Sequence, residues 1–251
     1  MYKLPVLNII IEAFWFPLKY KLQFLNALAL PLFLVVGIVG FSTEVHPESQ
    51  SFKFGIYLLY VYALSFFAVS CHRLILLKTD KRASPIAAPM LKRIIVFTIW
   101  GIIVYILAGI PLAFILTLAS NITSSAGGIS GSHNLTNENF NWVKLLLMLP
   151  FGYLLGRFSL VFPATAVDVT TSIKWSWVAT KNNGIRMLIL IGGIPWISTI
   201  FLGLLWRENG TMFEYVFLSI LGYLVFAVEI FILSIAFREL HRIEQVGLNK
   251  E

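Results

Sequence analysis

Three ionisable residues stand inside long apolar runs of the sequence: Arg73, Arg157 and Glu229. Charge within a bilayer is costly, so residues of this kind are the first candidates for a functional site. Arginine presents a planar fork of donors that matches a carboxylate or a phosphate. Arg73 and Arg157 could therefore hold a lipid headgroup or another anion from the cytoplasmic side, with Glu229 nearby. The same residues also admit a structural reading, as an Arg157–Glu229 ion pair between helices or as arginines reaching back to the interface along their apolar stems. Arg157 lies six residues before Pro163, and Glu229 eight before Phe237. At about 1.5 Å per residue, both sit roughly 9–12 Å inside one boundary, which makes the pair geometrically feasible. Asp168 is placed either to cap the segment that follows it or to pair with Lys174.

Other chemistry is thinly represented. His46, His72, His133 and His241 are scattered and make no metal-ligand spacing. The single cysteine, Cys71, precludes an internal disulfide and lies in an apolar run, where a buried inert thiol is the ordinary outcome. No glycine-rich loop is built to cradle phosphate, and no serine or cysteine nucleophile sits in a recognisable setting. The expectation is a protein that is not an enzyme and needs no metal and no cofactor.

The elements that position these residues follow from composition. The chain has 251 residues, of which 58% are hydrophobic and 12% charged. A soluble domain carries about 25% charged residues, so this chain lacks the charge to cover itself in water, and a bilayer resolves the deficit. A spanning helix needs about 20 mostly apolar residues, and six runs qualify: Leu22–Phe41, Phe54–Leu77, Ile94–Ala119, Val143–Pro163, Met187–Trp206 and Phe213–Phe237. None alternates polar with apolar residues as a barrel strand does, so all six are expected to be helices in an all-α membrane bundle. Lys3 supplies a weak charged start, but Glu12, Pro17, Lys19 and Lys21 interrupt the apolar stretch and no small-residue cleavage site follows, so no cleavable signal peptide is expected.

Charge sets the orientation. Of the 19 Lys and Arg, only Lys53, Lys144 and Arg207 fall outside the N-terminal, second-to-third, fourth-to-fifth and C-terminal segments. Cytoplasmic loops carry the basic excess, so both termini are expected inside. That distribution also accounts for the net charge of +7 without nucleic acid as a partner. The expected partners are membrane lipids and another membrane protein. Three segments read as helices lying along the cytoplasmic surface: Pro5–Phe16, Ser84–Leu91 and Thr171–Lys181. Trp15, Trp175 and Trp177 are their candidate anchors at headgroup level.

The same features recur with a period. Pro31, Pro111 and Pro195 mark the odd-numbered spans, 80 and 84 residues apart, and Arg73, Arg157 and Arg238 end the even-numbered ones, 84 and 81 residues apart. The chain therefore reads as one membrane domain, 1–251, made of three tandem units, 1–79, 80–166 and 167–251. Each unit would be a surface helix followed by a hairpin of two spans. Units that share one orientation are related by an axis along the membrane normal, unlike inverted-repeat transporters. On the fourth span, Gly152 and Gly156 have the small-xxx-small spacing that lets helices approach closely.

One stretch resembles a known group. Arg157-Phe158-Ser159-Leu160, Pro163-Ala164, Asp168, Trp177, Thr180-Lys181-Asn182-Asn183 and Arg186 resemble a broad set of uncharacterised bacterial six-helix inner-membrane proteins. That set is similar to the membrane domain fused to some glycerophosphodiester phosphodiesterases. The likeness is clearest over about residues 150–200. It implies the bacterial cytoplasmic membrane and an association with lipid. No catalytic residue carries over, because in the fused proteins the chemistry belongs to a separate soluble domain. Two functions remain open: a non-enzymatic partner or scaffold subunit of a membrane complex, and a transport or lipid-handling protein with a cytoplasm-facing anion site. A polar cavity at the depth of the arginines would favour the second, and an apolar groove facing lipid the first.

Overall fold

The computed structural model describes residues 3–44, 50–77, 88–126, 149–205 and 211–248. Among these residues there is no strand, and nearly all are helical. The helices are α1 (Val6–Lys19), α2 (Lys21–Glu44), α3 (Gln50–Leu77), α4 (Ala88–Ala126), α5 (residues 149–158), α6 (Val161–Ala166), α7 (Ile173–Ala179), α8 (Gly184–Met187), α9 (Ile194–Leu205) and α10 (Met212–Leu248). A π-helical turn, Leu188–Gly193, joins α8 to α9. Four stretches are long and apolar enough to cross a membrane: Gln50–Leu77, Pro89–Phe114, Gly184–Leu205 and Val216–Arg242. This is a multi-pass membrane protein. The first expected span, Leu22–Phe41, lies within the 24-residue helix α2. The first part of the fourth, residues 143–148, lies outside the described residues.

Three element boundaries differ from the sequence reading, each for a local reason. The fourth span does not run unbroken to Pro163, because a turn at Ser159–Leu160 separates α5 from α6. Proline at 163 cannot donate to the Ser159 carbonyl and its ring crowds that carbonyl, so the helix breaks there. The Ser159 carbonyl accepts instead from the Phe162 amide, at 3.1 Å. The surface helix expected at Ser84–Leu91 is not separate over its described part, since 88–91 run straight into α4. Residues 84–87 lie outside the described residues. The last helix passes well beyond Phe237, to Leu248.

Proline does not end the other helices. Pro31 and Pro111 lie inside α2 and α4, and Pro195 follows directly on the π-helical turn. In a bilayer, neighbouring groups and local changes of pitch can satisfy the carbonyl that proline leaves free.

Burial is uneven along the bundle. The C-terminal half of α3 and the second half of α10 form the core, with Phe67, Cys71, Ile75, Phe231, Ile235 and Phe237 all enclosed. The other halves of the same helices, and all of α9, expose large apolar side chains such as Phe54, Leu59, Phe201 and Phe217. Lipid tails are as apolar as leucine, so the helices are held by close packing and interhelical bonds rather than by escape from water. Ring contacts supply much of that packing: Phe231 meets Phe16 at 5.2 Å and Phe24 at 5.9 Å, joining α10 to α1 and α2.

Candidate functional site

The ionisable residues gather at the packed end of the bundle, where short helices meet the ends of long ones. Arg157, at the end of α5, is 3% exposed. Its Nη1 donates to the Thr180 carbonyl at 3.0 Å and its Nη2 to the Trp177 carbonyl at 2.7 Å. Those carbonyls end α7, where a helix leaves orphan acceptors and a partial negative charge. The guanidinium also stacks on the Trp177 ring, 4.0 Å from its centroid. In return, Ser176 Oγ donates to the Arg157 carbonyl at 2.7 Å. The segment after α5 is thus fastened to α7 in both directions.

Arg73, at the end of α3, plays the same part for α6. Its Nη1 donates to the Ala166 carbonyl at 3.0 Å, the last of that helix. Beyond it the chain reverses through a Schellman motif. The Val169 amide donates to the Ala164 carbonyl at 2.9 Å and the Asp168 amide to the Thr165 carbonyl at 3.3 Å. This geometry needs a left-handed residue after the cap, usually glycine, and Asp168 takes it with φ 62°. Its carboxylate receives Arg93 of α4 in a fork, with Nε 2.8 Å from Oδ1 and Nη2 2.6 Å from Oδ2, while Arg73 lies 4.0 Å from Oδ2. The hydrogen bond from Arg93 holds the Asp168 carboxyl below its ordinary value.

Asp168 therefore does not start α7 or pair with Lys174. Ser172 caps α7, accepting from the Trp175 amide at 3.1 Å, and Asp168 closes α6. Serine or threonine before an apolar run was a readable cap signal. An aspartate standing where glycine is usual was not.

Two further links close the layer. Arg238 of α10 forks onto Glu12 of α1, with Nη1–Oε1 3.0 Å and Nη2–Oε2 2.8 Å. The lead-in to α1 is held by the turn between α7 and α8: the Leu4 amide donates to Asn183 Oδ1 at 2.8 Å, and Arg186 Nη1 donates to the Leu4 carbonyl. Leu4 is fully enclosed as a result. Asn183 and Arg186 were visible in sequence only as parts of a familiar-looking stretch. Their role needs a partner 179 positions away, which no local pattern announces.

The structure does not bring Arg157 and Glu229 together. Arg157 is committed to α7, whereas Glu229 Oε1 lies 2.5 Å from Ser198 Oγ of α9. Similar depth on two helices does not make side chains face each other: Glu229 lies on the side of α10 that meets α9.

Of the aromatic residues, Trp15 is 62% exposed and Trp177 39%. Trp175 turns inward, its ring 6.0 Å from Phe237 and 6.4 Å from His241. His72 is enclosed between α3 and α10 with Nδ1 2.7 Å from Ser234 Oγ. Among the described residues, no three of His, Cys, Asp and Glu converge as a metal site would require. His46 and His133 lie outside them.

At the opposite end, α2 and α3 part to leave a crevice of about 590 Å³. Its walls are apolar, from Phe33, Leu34 and Ile38 on one side to Phe52, Ile56 and Leu59 on the other. Gly37 and Gly55 also line it, and a Cβ on either would meet nothing within 4 Å.

Compared with protein-family models, with curated proteins and with solved structures, the chain matches none.

Proposed function

We propose that this chain is a non-enzymatic scaffold or partner subunit of a membrane complex, receiving an apolar helix of its partner in the crevice between α2 and α3. The observation that carries the reading is the contrast between the two ends. The arginines that could have held an anion, Arg73 and Arg157, are committed to the ends of α6 and α7. The crevice between α2 and α3 lies elsewhere and is apolar. In a bilayer, helices associate through close packing at small residues, and Gly37 and Gly55 leave room for such an approach.

We further infer six spans, α2 and the helix ending at Arg157 joining the four long apolar helices, with both termini in the cytoplasm of a bacterial inner membrane. The basic residues and the likeness over residues 150–200 support this, and lipids are the surrounding partner. The three-unit plan gains support from the arginines. Arg157, ending the second unit, braces α7 of the third. Arg238, ending the third, braces α1 of the first. Units arranged in a ring around the membrane normal would make contacts of this cyclic kind.

The test is purification in mild detergent followed by native mass spectrometry of the wild type and Gly55→Leu, which fills the crevice. The reading expects a stoichiometric protein partner that Gly55→Leu loses while the protein still elutes as one species. An anionic lipid retained by the wild type and lost in Arg157→Ala, with no protein partner, would instead establish the lipid-handling alternative.

A further inference from the structure

The molecule holds a second membrane-embedded polar group that the scaffold reading does not use. Glu229 sits in the apolar part of α10, nine residues before Arg238, half-buried against α9. Its one polar contact among the described residues is Ser198. Isolated charge at that depth is costly, and intramembrane carboxyls are found at ion and proton paths.

The hydrogen count at Ser198 is informative. Ser198 Oγ lies 2.5 Å from Glu229 Oε1 and 2.8 Å from the Pro195 carbonyl oxygen. A serine hydroxyl has one hydrogen to donate, so it can complete only one of these bonds. A carboxyl hydrogen on Glu229 completes the other, giving the chain Glu229 O–H to Ser198 Oγ, and Ser198 O–H to the Pro195 carbonyl. The Pro195 carbonyl also accepts from Thr199 Oγ1 at 2.8 Å. This oxygen cluster directly follows the π-helical turn Leu188–Gly193, a distortion often found at functional sites.

We propose that Glu229, with Ser198 and the Pro195 carbonyl, is a reversible proton-binding site between α9 and α10. When the proton leaves to water or to a base, the Ser198 hydroxyl turns to donate to the carboxylate. The Pro195 carbonyl then keeps Thr199 Oγ1 as its donor. One proton is released, no other covalent bond changes, and the carboxylate formed keeps Ser198 as its donor.

The other titratable groups on the elements packed against α10 have partners or positions of their own. On α3, Tyr60 contacts Tyr223, His72 contacts Ser234 and Arg73 binds the Ala166 carbonyl; Cys71 is buried, Tyr57 is exposed, Tyr62 packs by Phe66 and Met90, and Lys53 lies in the first turn. On α1, Glu12 binds Arg238, and Lys19 lies in the last turn, over Tyr20. On α2, Lys21 is the first residue and Glu44 the last. α6, α9 and the π-helical turn carry no ionisable side chain.

The test uses the full-length protein in phosphatidylcholine–phosphatidylglycerol vesicles, treated with dicyclohexylcarbodiimide over a range of pH and read by peptide mass spectrometry. This apolar reagent takes up a protonated carboxyl. The proton passes to a carbodiimide nitrogen, the carboxyl oxygen bonds to the central carbon, and an acyl shift leaves a stable N-acylurea. The expected result is an adduct on Glu229 that falls about tenfold per pH unit beyond its titration midpoint, with Glu12, Glu214 and Glu239 far less labelled. Ser198→Ala, which removes the donor that the carboxylate needs, should keep labelling several-fold higher at the alkaline end. Absence of the adduct at every pH, or equal labelling of Glu12, Glu214 and Glu239, would overturn the proposal. So would protection by sodium ions without dependence on pH, which would mark a metal-cation site.

Discussion

Arg73 and Arg157 each direct a guanidinium at the last carbonyls of a short helix, where backbone acceptors have no partner within the helix. The role is geometric as much as electrostatic. Arg157 must reach the Thr180 and Trp177 carbonyls together while lying flat on the Trp177 indole. A lysine keeps the charge but cannot do all three. Arg157→Ala should destabilise the protein by about 2–4 kcal/mol, given two charge-assisted bonds and one cation–π contact. Arg157→Lys should recover less than half of the loss, as read by thermal unfolding in detergent; full recovery by lysine would show that charge alone matters. Asp168 makes a prediction in pH. Its carboxyl is lowered by the bond from Arg93. The stability it contributes is therefore fully present above the unfolded-state carboxyl pKa and is lost as pH falls through the folded-state one. The wild type should lose its advantage over Asp168→Asn as pH drops below about 4, asparagine being tolerated in the left-handed conformation. With a side chain 57% exposed, the effect should stay under about 1 kcal/mol. A difference that persists unchanged at acid pH would show that the Arg93 bond contributes nothing.

Among the elements, α5 crosses the π-helical turn at very close range. A Cβ on Gly152 would come within 3.2 Å of the Gly192 Cα, and one on Gly156 within 2.9 Å of the Met187 carbonyl oxygen. Backbone cannot yield as a side-chain tip can, so Gly156→Ala should cost about 1–3 kcal/mol. Gly101→Ala, in open space on α4, should be neutral or stabilising by up to about 1 kcal/mol. Equal melting temperatures for the two variants would contradict the packing described. The small-xxx-small spacing on α5 was legible in sequence, and so was helical character throughout, because apolar runs this long leave the backbone no other partner. The break at Ser159–Leu160 was less so. Pro163 could have signalled it, but proline is tolerated inside α2 and α4, and sequence does not say which proline will break its helix. The Schellman turn at Asp168 stayed hidden because its usual marker, glycine, is absent.

For the molecule as a whole, the packed end and the splayed end were not distinguishable from hydropathy, since both are equally apolar. What separates them is the layer of arginines, carbonyls and carboxylates that ties α1, α6 and α7 to the ends of the long helices. Sequence pointed to Arg73 and Arg157 as residues worth attention and left open what they bind. The structure directs both at backbone carbonyls of this same chain. The proposed orientation is open to a direct check, because Cys71 is fully buried and gives a quiet background. With a membrane-impermeant maleimide on intact cells, Thr211→Cys should label at once and Lys174→Cys only after permeabilisation; the reverse order would invert the topology. The scaffold function itself is tested most directly by photo-crosslinking in native membranes, with the probe placed at Phe52 or Leu59 in the crevice and at Leu204 of α9 as control. The account predicts one discrete protein adduct from the crevice positions, absent from Leu204 and suppressed by Gly55→Leu. Lipid adducts alone, or the same protein adducts from all three positions, would contradict it.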